Sequence, residues 1–110
     1  MLFSPDDSWL TDLDNAIHQN IRDVQLSAKR LADIMGMSRA HFYRKMCSLT
    51  QLTPKEYIQN IRINHALQLL EQGEVQSVKA VAQAVGMRKV RYFSEQFKER
   101  FGRLPSDFLI

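Results

Sequence analysis

Apolar residues recur every three or four positions in two short runs within residues 26–49, LSAKRLADIMGMSRAHFYRKMCSL. Ser27 and Ser38 precede these runs, where a side-chain hydroxyl can accept a bond from an unpaired backbone N–H and cap a helix. Gly36 lies between the runs and tolerates the left-handed backbone that often ends a helix. The pattern therefore predicts two short helices joined by a tight turn, which is a helix-turn-helix over about residues 27–49.

Each of these two predicted helices has one apolar face. The helical spacing predicts that Leu31, Ile34 and Met35 share the buried side of the first helix. In the second helix Phe42 defines the buried side, and Arg44 falls about 200° away from it around the helix axis. The second helix therefore directs an arginine away from its own core.

The outward face of that second helix is small, polar and basic. Ala40, Tyr43 and Arg44 lie on it, and residues 38–48 contain no Asp or Glu. An α-helix fits the DNA major groove, where Arg is the commonest specific reader of guanine. The face therefore favours base recognition, although this helix alone leaves open a basic surface that only faces water.

The same pattern returns fifty positions later. Ser77 takes the place of Ser27, and Gly86 takes the place of Gly36. A repeat of caps, apolar spacing and turn glycine at one fixed offset indicates a duplicated structural unit. We predict a second helix-turn-helix over about residues 77–101, with Phe93 and Phe97 buried. Its outward face is shifted by one residue relative to the first copy and consists of Lys89, Arg91, Ser94, Glu95 and Lys98.

Two further helices complete the predicted all-α fold. Ser4 and Pro5 suit the start of an N-terminal helix that packs beneath the first unit. A capping box at Thr53 and Glu56 starts a linker helix over about residues 54–71, with a length of about 27 Å. Successive major-groove faces recur about every 34–36 Å, so two recognition helices on one chain can enter adjacent grooves without dimerisation. Arg62 on the linker either pairs with an acid or touches the DNA backbone.

Composition narrows the class of protein. The 110 residues carry a formal net charge of +3 and a single cysteine, so there is no disulfide framework. No apolar run approaches the roughly 18 residues of a membrane span, and no signal-peptide pattern opens the chain. His and Cys show no metal spacing, and there is no Gly-rich phosphate loop. We expect a cytoplasmic DNA-binding domain with no enzyme activity, metal or cofactor; the alternative is a helical protein–protein interaction module.

Three strings of the sequence resemble the DNA-binding domain of the AraC/XylS family of bacterial transcription regulators. They are LADIMGMSRAHFYRKM, LTPKEYIQNIRINHALQLL and VAQAVGMRKVRYFSEQFKERFGRLPSDF. The resemblance implies about seven helices, with two homeodomain-like helix-turn-helix subdomains joined by a long helix, across residues 1–110. It also implies binding to asymmetric double-stranded promoter DNA and recruitment of RNA polymerase.

Helix by helix, the resemblance implies which side chains read the bases. These positions are Ala40, Tyr43, Arg44, Val90, Arg91, Ser94 and Glu95. Charge and position add a second set that is expected to contact DNA phosphates. This set is Arg39, His41, Lys45, Arg88, Lys89 and Lys98.

Three residues depart from the family pattern. Glu95 stands where Arg is common; a carboxylate can accept from cytosine N4 but is repelled by phosphates. Gln51 stands where Gly often ends the first recognition helix, and Arg88 replaces a capping Ser or Asp. The first half also resembles the output domains of hybrid two-component sensor-regulators. We expect a monomer for the isolated domain and allow a dimer through domains outside this sequence.

Overall fold

The computed structural model describes residues 4–109, and these are all-helical, with no strand among them. Six α-helices and one short 3₁₀ helix confirm the predicted all-α class with about seven helical elements. The α-helices are α1 (Pro5–Gln19), α2 (Ala28–Ile34), α3 (Arg39–Thr50), α4 (Pro54–Glu71), α5 (Val78–Ala84) and α6 (Val90–Phe101), and the 3₁₀ helix is Pro105–Phe108.

Serine side chains cap three of the four helices that form the two helix-turn-helix units. The hydroxyls of Ser27 and Ser38 accept from the backbone N–H of the residue three positions on, at 3.3 Å and 3.2 Å. Ser77 does the same at the start of α5, at 3.0 Å. At α4, Thr53 and Glu56 bond each other's backbone N–H reciprocally, at 2.9 Å and 3.2 Å. Satisfying these otherwise unpaired N–H groups stabilises each helix by about 1 kcal/mol per cap.

The chain divides into two compact units, and the boundary falls within α4. Of the described residues, the first unit contains 4–20 and 25–59, and the second contains 21–24 and 60–109. In the first unit the fully buried side chains come from α1, α2 and α3, and they include Leu13, Ile17, Leu31, Phe42 and Met46. In the second unit most of the buried side chains come from α4, α5, α6 and the turn after α5, and they include Ile63, Val81, Val85, Phe93 and Phe97.

The predicted apolar face of α2 is wrong at Ile34. Leu31 and Ala32 are both 1% exposed, whereas Ile34 is 42% exposed. At about 100° per residue, the buried direction lies between Leu31 and Ala32, and Ile34 falls more than 100° away from it. Because Ala32 is small, it permits close approach on the side of the helix that the sequence pattern did not mark as apolar.

The turn glycine of the second unit is required by its surroundings. Gly86 has φ +75°, and a side chain there would collide with the backbone carbonyl of Ile21 and meet the guanidinium of Arg62. Arg62 is half-buried and donates from Nη2 to the carbonyl oxygen of Asp23 at 2.6 Å. Burial lowers the pKa of Arg62, opposed by the charge of Asp23. Arg62 therefore bonds the backbone of Asp23 and also interacts with its charge, which agrees with the alternative in which Arg62 pairs with an acid.

Candidate nucleic-acid interface

Helix α3 separates a buried side from a basic outward side, as its helical wheel predicted. Phe42 is 0% exposed and Met46 is 1% exposed, which fixes the rotation of the helix. Ala40, Tyr43 and Arg44 are all exposed, and the helix contains no acidic residue. The first unit thus presents its three predicted base-reading side chains together, on one exposed face.

The predicted phosphate contacts of α3 have different environments. Arg39 and His41 are exposed near the start of the helix. Lys45 is half-buried, and its Nζ lies 5.0 Å from the centre of the Trp9 ring, a cation–π contact. No local sequence pattern indicates this contact, since Trp9 lies on another helix and 36 positions away in the chain.

Trp9 fixes the edge of α3 on which Lys45 lies. Its ring packs against Phe42 with centroids 5.7 Å apart. Its indole N–H donates to the sulfur of Met37, 3.3 Å away, in the turn before α3. The aromatic ring therefore ties α1 to both the turn and the recognition helix.

Helix α3 is capped at its C-terminal end by Gln51, which stands where the family often has Gly. Its backbone has φ 60°, in the left-handed region that Gly adopts more easily than any other residue. Gln51 Nε2 donates to the backbone carbonyl of Ser48 at 3.0 Å, which partly offsets the strain. The turn into α4 therefore has the shape of a glycine C-cap without the glycine.

Helix α6 is oriented by a cluster of aromatic side chains. Phe97 packs against Phe93, Phe101 and Phe108, with ring centroids 5.9, 4.8 and 5.7 Å apart. Phe93 and Phe97 are both 0% exposed. Because the rotation of α6 is fixed in this way, the side of the helix opposite these rings must face outward.

The predicted base-reading side chains of α6 are not equally accessible. Arg91 and Glu95 are exposed, whereas Val90 and Ser94 are half-buried. Arg91 Nε donates to Glu95 Oε1 at 3.3 Å, one helical turn along. Their side chains are 95% and 60% exposed, so this ion pair lies on the outward surface. Sequence reasoning placed both residues on this face but did not pair them.

The start of α6 lacks a side-chain cap. Lys89 occupies the cap position, and not Arg88 as the sequence predicted, and its side chain accepts no backbone bond, since an ammonium group has no acceptor. Arg88, Lys89 and the more distant Lys98 are exposed. These three predicted phosphate contacts therefore remain accessible around the outward side of α6.

A polar contact that the sequence did not reveal holds α6 against α4. Arg100 donates from Nε to Asn64 Oδ1 and from Nη1 to Asn60 Oδ1, both at 3.0 Å. The only signal was the spacing of Asn60 and Asn64, which places them on one face of α4. The partner on α6 was not identifiable, because many arginines occupy exposed helix positions in this chain.

One strongly perturbed group lies in the first unit, away from the outward face of α3. Tyr57 on α4 donates to Asp14 Oδ1 on α1 at 2.5 Å. Burial, and then this bond to Asp14, raise the pKa of Tyr57 well above its ordinary value.

Among residues 4–109 no three His, Cys, Asp or Glu side chains are grouped to hold a metal ion. No helix in the described part of the chain is long and apolar enough to cross a membrane.

Comparison with known proteins assigns the family. The sequence pattern of the helix-turn-helix domain matches residues 31–109. The chain belongs to this family. It is 35% identical over 100 residues to the MmsAB operon regulatory protein of Pseudomonas aeruginosa, covering 88% of this chain and 32% of that protein. It is 30% identical over 105 residues to Histidine kinase P4 of Formosa agariphila, covering 96% of this chain and 8% of that protein.

A solved structure shares the fold. The DNA-binding domain of AdpA, in complex with a target DNA, superposes with a TM-score of 0.78 at 27% identity, covering 90% of this chain and 87% of that one. Family, fold and relatives together show the DNA-binding domain of an AraC/XylS-type transcription regulator. The chain spans about a third or less of the length of these two curated relatives.

Proposed function

We propose that this domain reads an asymmetric promoter site with two recognition helices, α3 and α6, each inserted into the major groove of double-stranded DNA. The observation that carries the proposal is the face of α3, where exposed Ala40, Tyr43 and Arg44 lie opposite buried Phe42 and Met46. A capped helix with a basic, acid-free outward face meets the geometric requirement for base contact in the major groove.

In this proposal the two helices divide the recognition. Arg44 donates to a guanine, while Ala40 and Tyr43 shape the contact around it. On α6, Arg91 and Glu95 contact base edges, and half-buried Val90 and Ser94 line the approach. The remaining basic side chains hold the phosphates and fix the register without reading sequence. They are Arg39, His41, Lys45, Arg88, Lys89 and Lys98.

The wider assignments rest on the family. We propose that the domain acts in the cytoplasm, recruits RNA polymerase and is monomeric when isolated. The similarity to a protein named as a histidine kinase supports an origin as the output domain of a hybrid two-component sensor-regulator. In that case any kinase activity belongs to the parent protein, and dimerisation depends on domains outside this sequence.

Selection from a pool of random duplexes at moderate salt tests the proposal. We expect an enriched asymmetric site with two preferred patches about one helical turn apart. The affinity should fall with salt, with a log–log slope near −0.9 for each phosphate that the protein neutralises.

A matched pair of charge-removing variants makes this experiment specific. Arg44→Ala should abolish enrichment at one patch, whereas Arg22→Ala, which removes the same charge from an exposed turn outside both recognition helices, should preserve it. Absence of any salt-dependent or sequence-selective binding would overturn the proposal in favour of a protein–protein interaction module.

A further inference from the structure

The ion pair on the outward side of α6 combines donor and acceptor groups at one place. We propose that Arg91 and Glu95 act as a single unit that reads the major-groove edge of a G·C base pair. This inference rests on the proposed function, in which α6 enters the major groove, and it names the base pair that the helix selects.

The geometry of the bond leaves the reading end of Arg91 available. The contact with Glu95 uses Nε, at 3.3 Å, and not the terminal Nη groups. The two Nη groups form the fork that can donate to guanine O6 and N7 together. With the Arg91 side chain 95% exposed, the bond steadies the guanidinium without covering that fork.

Glu95 supplies the complementary acceptor. One carboxylate oxygen, Oε1, receives the bond from Arg91, and the side chain remains 60% exposed. The second oxygen can accept from the N4 amino group of cytosine. With adenine in the place of guanine and thymine in the place of cytosine, adenine N6 opposes one donor of Arg91 and thymine O4 opposes the carboxylate, so adenine N7 is the one matched group.

The pair has no comparable explanation as a helix-stabilising contact. On a helix, Glu placed before Lys or Arg at this spacing stabilises more than the reverse order, which is the order found here. Highly exposed ion pairs also contribute little to stability. A carboxylate facing DNA would ordinarily be repelled by phosphates, and pairing it with Arg91 offsets that repulsion.

The experiment compares two variants that make the same change in net charge. Glu95→Ala removes the proposed acceptor, and Glu99→Ala removes an exposed carboxylate one turn further along the same helix. After the wild-type site has been selected, Arg91→Ala identifies the base pair that α6 reads. Dissociation constants are then measured on duplexes with G·C or A·T at that pair.

We expect the wild type to prefer G·C by about tenfold or more. Glu95→Ala should reduce that ratio several-fold, whereas Glu99→Ala should leave the ratio unchanged while raising affinity slightly for both duplexes. Glu95→Gln should shift the preference toward A·T, because the Gln amide can donate to thymine O4, which a carboxylate cannot. Circular dichroism checks that each variant keeps its helices.

The possible failures are distinguishable. If Glu95→Ala raises affinity for both duplexes and leaves the ratio unchanged, Glu95 only repels phosphate and the inference is overturned. Enrichment confined to the patch that depends on Arg44 would also overturn it, while the wider function stands. A wild-type domain with no selective binding would instead refute the proposed function itself.

Discussion

Helices α3 and α6 are two copies of one recognition element, and they differ in how each is capped and in what each presents. Ser38 caps α3 through its side chain, whereas α6 begins at Lys89 with no side-chain cap. The outward face of α3 has no acid, while that of α6 carries the Arg91–Glu95 ion pair. The two copies therefore share a turn and a buried side, while their N-terminal caps and outward faces differ.

The buried sides of the two helices, unlike their outward faces, are similar to each other. In both copies a fully buried Phe fixes the helix rotation: Phe42 in α3, and in α6 its counterpart Phe93 together with Phe97. Phe42 packs at a tilt against Trp9, whereas Phe97 lies among three other phenylalanine rings, one of them Phe93. The aromatic anchor is therefore common to both units, and only its neighbours differ.

The largest effect is expected from removing these anchors. Phe97→Ala should lower the free energy of unfolding by about 3–5 kcal/mol, because it leaves a cavity in a closely packed aromatic cluster. Phe42→Ala should fall in the same range of about 3–5 kcal/mol for the same reason. Urea unfolding followed by circular dichroism measures both.

Hydrogen exchange of backbone amides shows which helices each buried Phe stabilises. Phe97→Ala should reduce protection mainly in α5 and α6, and Phe42→Ala mainly in α2 and α3. Exposed Glu99→Ala serves as the control and should change neither. An unaltered unfolding curve for Phe97→Ala would show that the assigned buried face of α6 is wrong.

The next largest effect is expected on DNA binding, from removal of the arginine on the outward face of α3. Arg44→Ala should cost about 1–3 kcal/mol of binding free energy on the selected site and relax sequence preference at one base pair. Titration of labelled duplexes measures this loss on the selected site and on random DNA. Lys98 is a proposed phosphate contact, and Lys98→Ala is the matched comparison. It should weaken binding to the selected site and to random DNA to a similar extent. A loss of equal size on random DNA for Arg44→Ala would reassign it to phosphate binding.

Smaller changes in the free energy of unfolding are expected from the N-terminal caps, which differ between the two helices. Ser38→Ala should lower the free energy of unfolding by about 1 kcal/mol, since the N–H of His41 loses its partner. Lys89→Ser should raise it by up to about 1 kcal/mol, because a serine hydroxyl can supply the missing cap. Ser48→Ala, in the interior of α3, is the control and should have less effect than Ser38→Ala. Thermal melts of the three variants decide whether the caps behave as assigned.

The smallest effects are expected at the C-terminal ends. Gln51→Gly should stabilise the domain by less than about 1 kcal/mol, since relief of the left-handed backbone is partly cancelled by loss of the bond to Ser48. Gly102→Ala should destabilise it by about 1 kcal/mol at most, because the same φ region disfavours a Cβ. Urea titrations measure the change in the free energy of unfolding for both variants. If Gln51→Gly destabilises the domain, the side-chain bond to Ser48 contributes more than the backbone strain costs.

The sequence predicted most of the frame because local signals determine it. Ser27, Ser38 and Ser77 cap helices through their own hydroxyls, and Gly36 and Gly86 adopt left-handed turns. The repeat at a constant offset identified the second unit, and the spacing of Phe93 and Phe97 fixed the outward side of α6. Such signals act within one or two helical turns, so they are readable without tertiary contacts.

Contacts between helices were decided only by the tertiary structure. Ile34 is exposed because packing at α2 selected small Ala32 instead, and Lys45 lies against Trp9 because α1 brings that ring to α3. Arg100 meets Asn60 and Asn64 across 36 to 40 residues of chain. Helical periodicity specifies which side chains share a face, but the choice of partner depends on which faces meet and on the volume available between them.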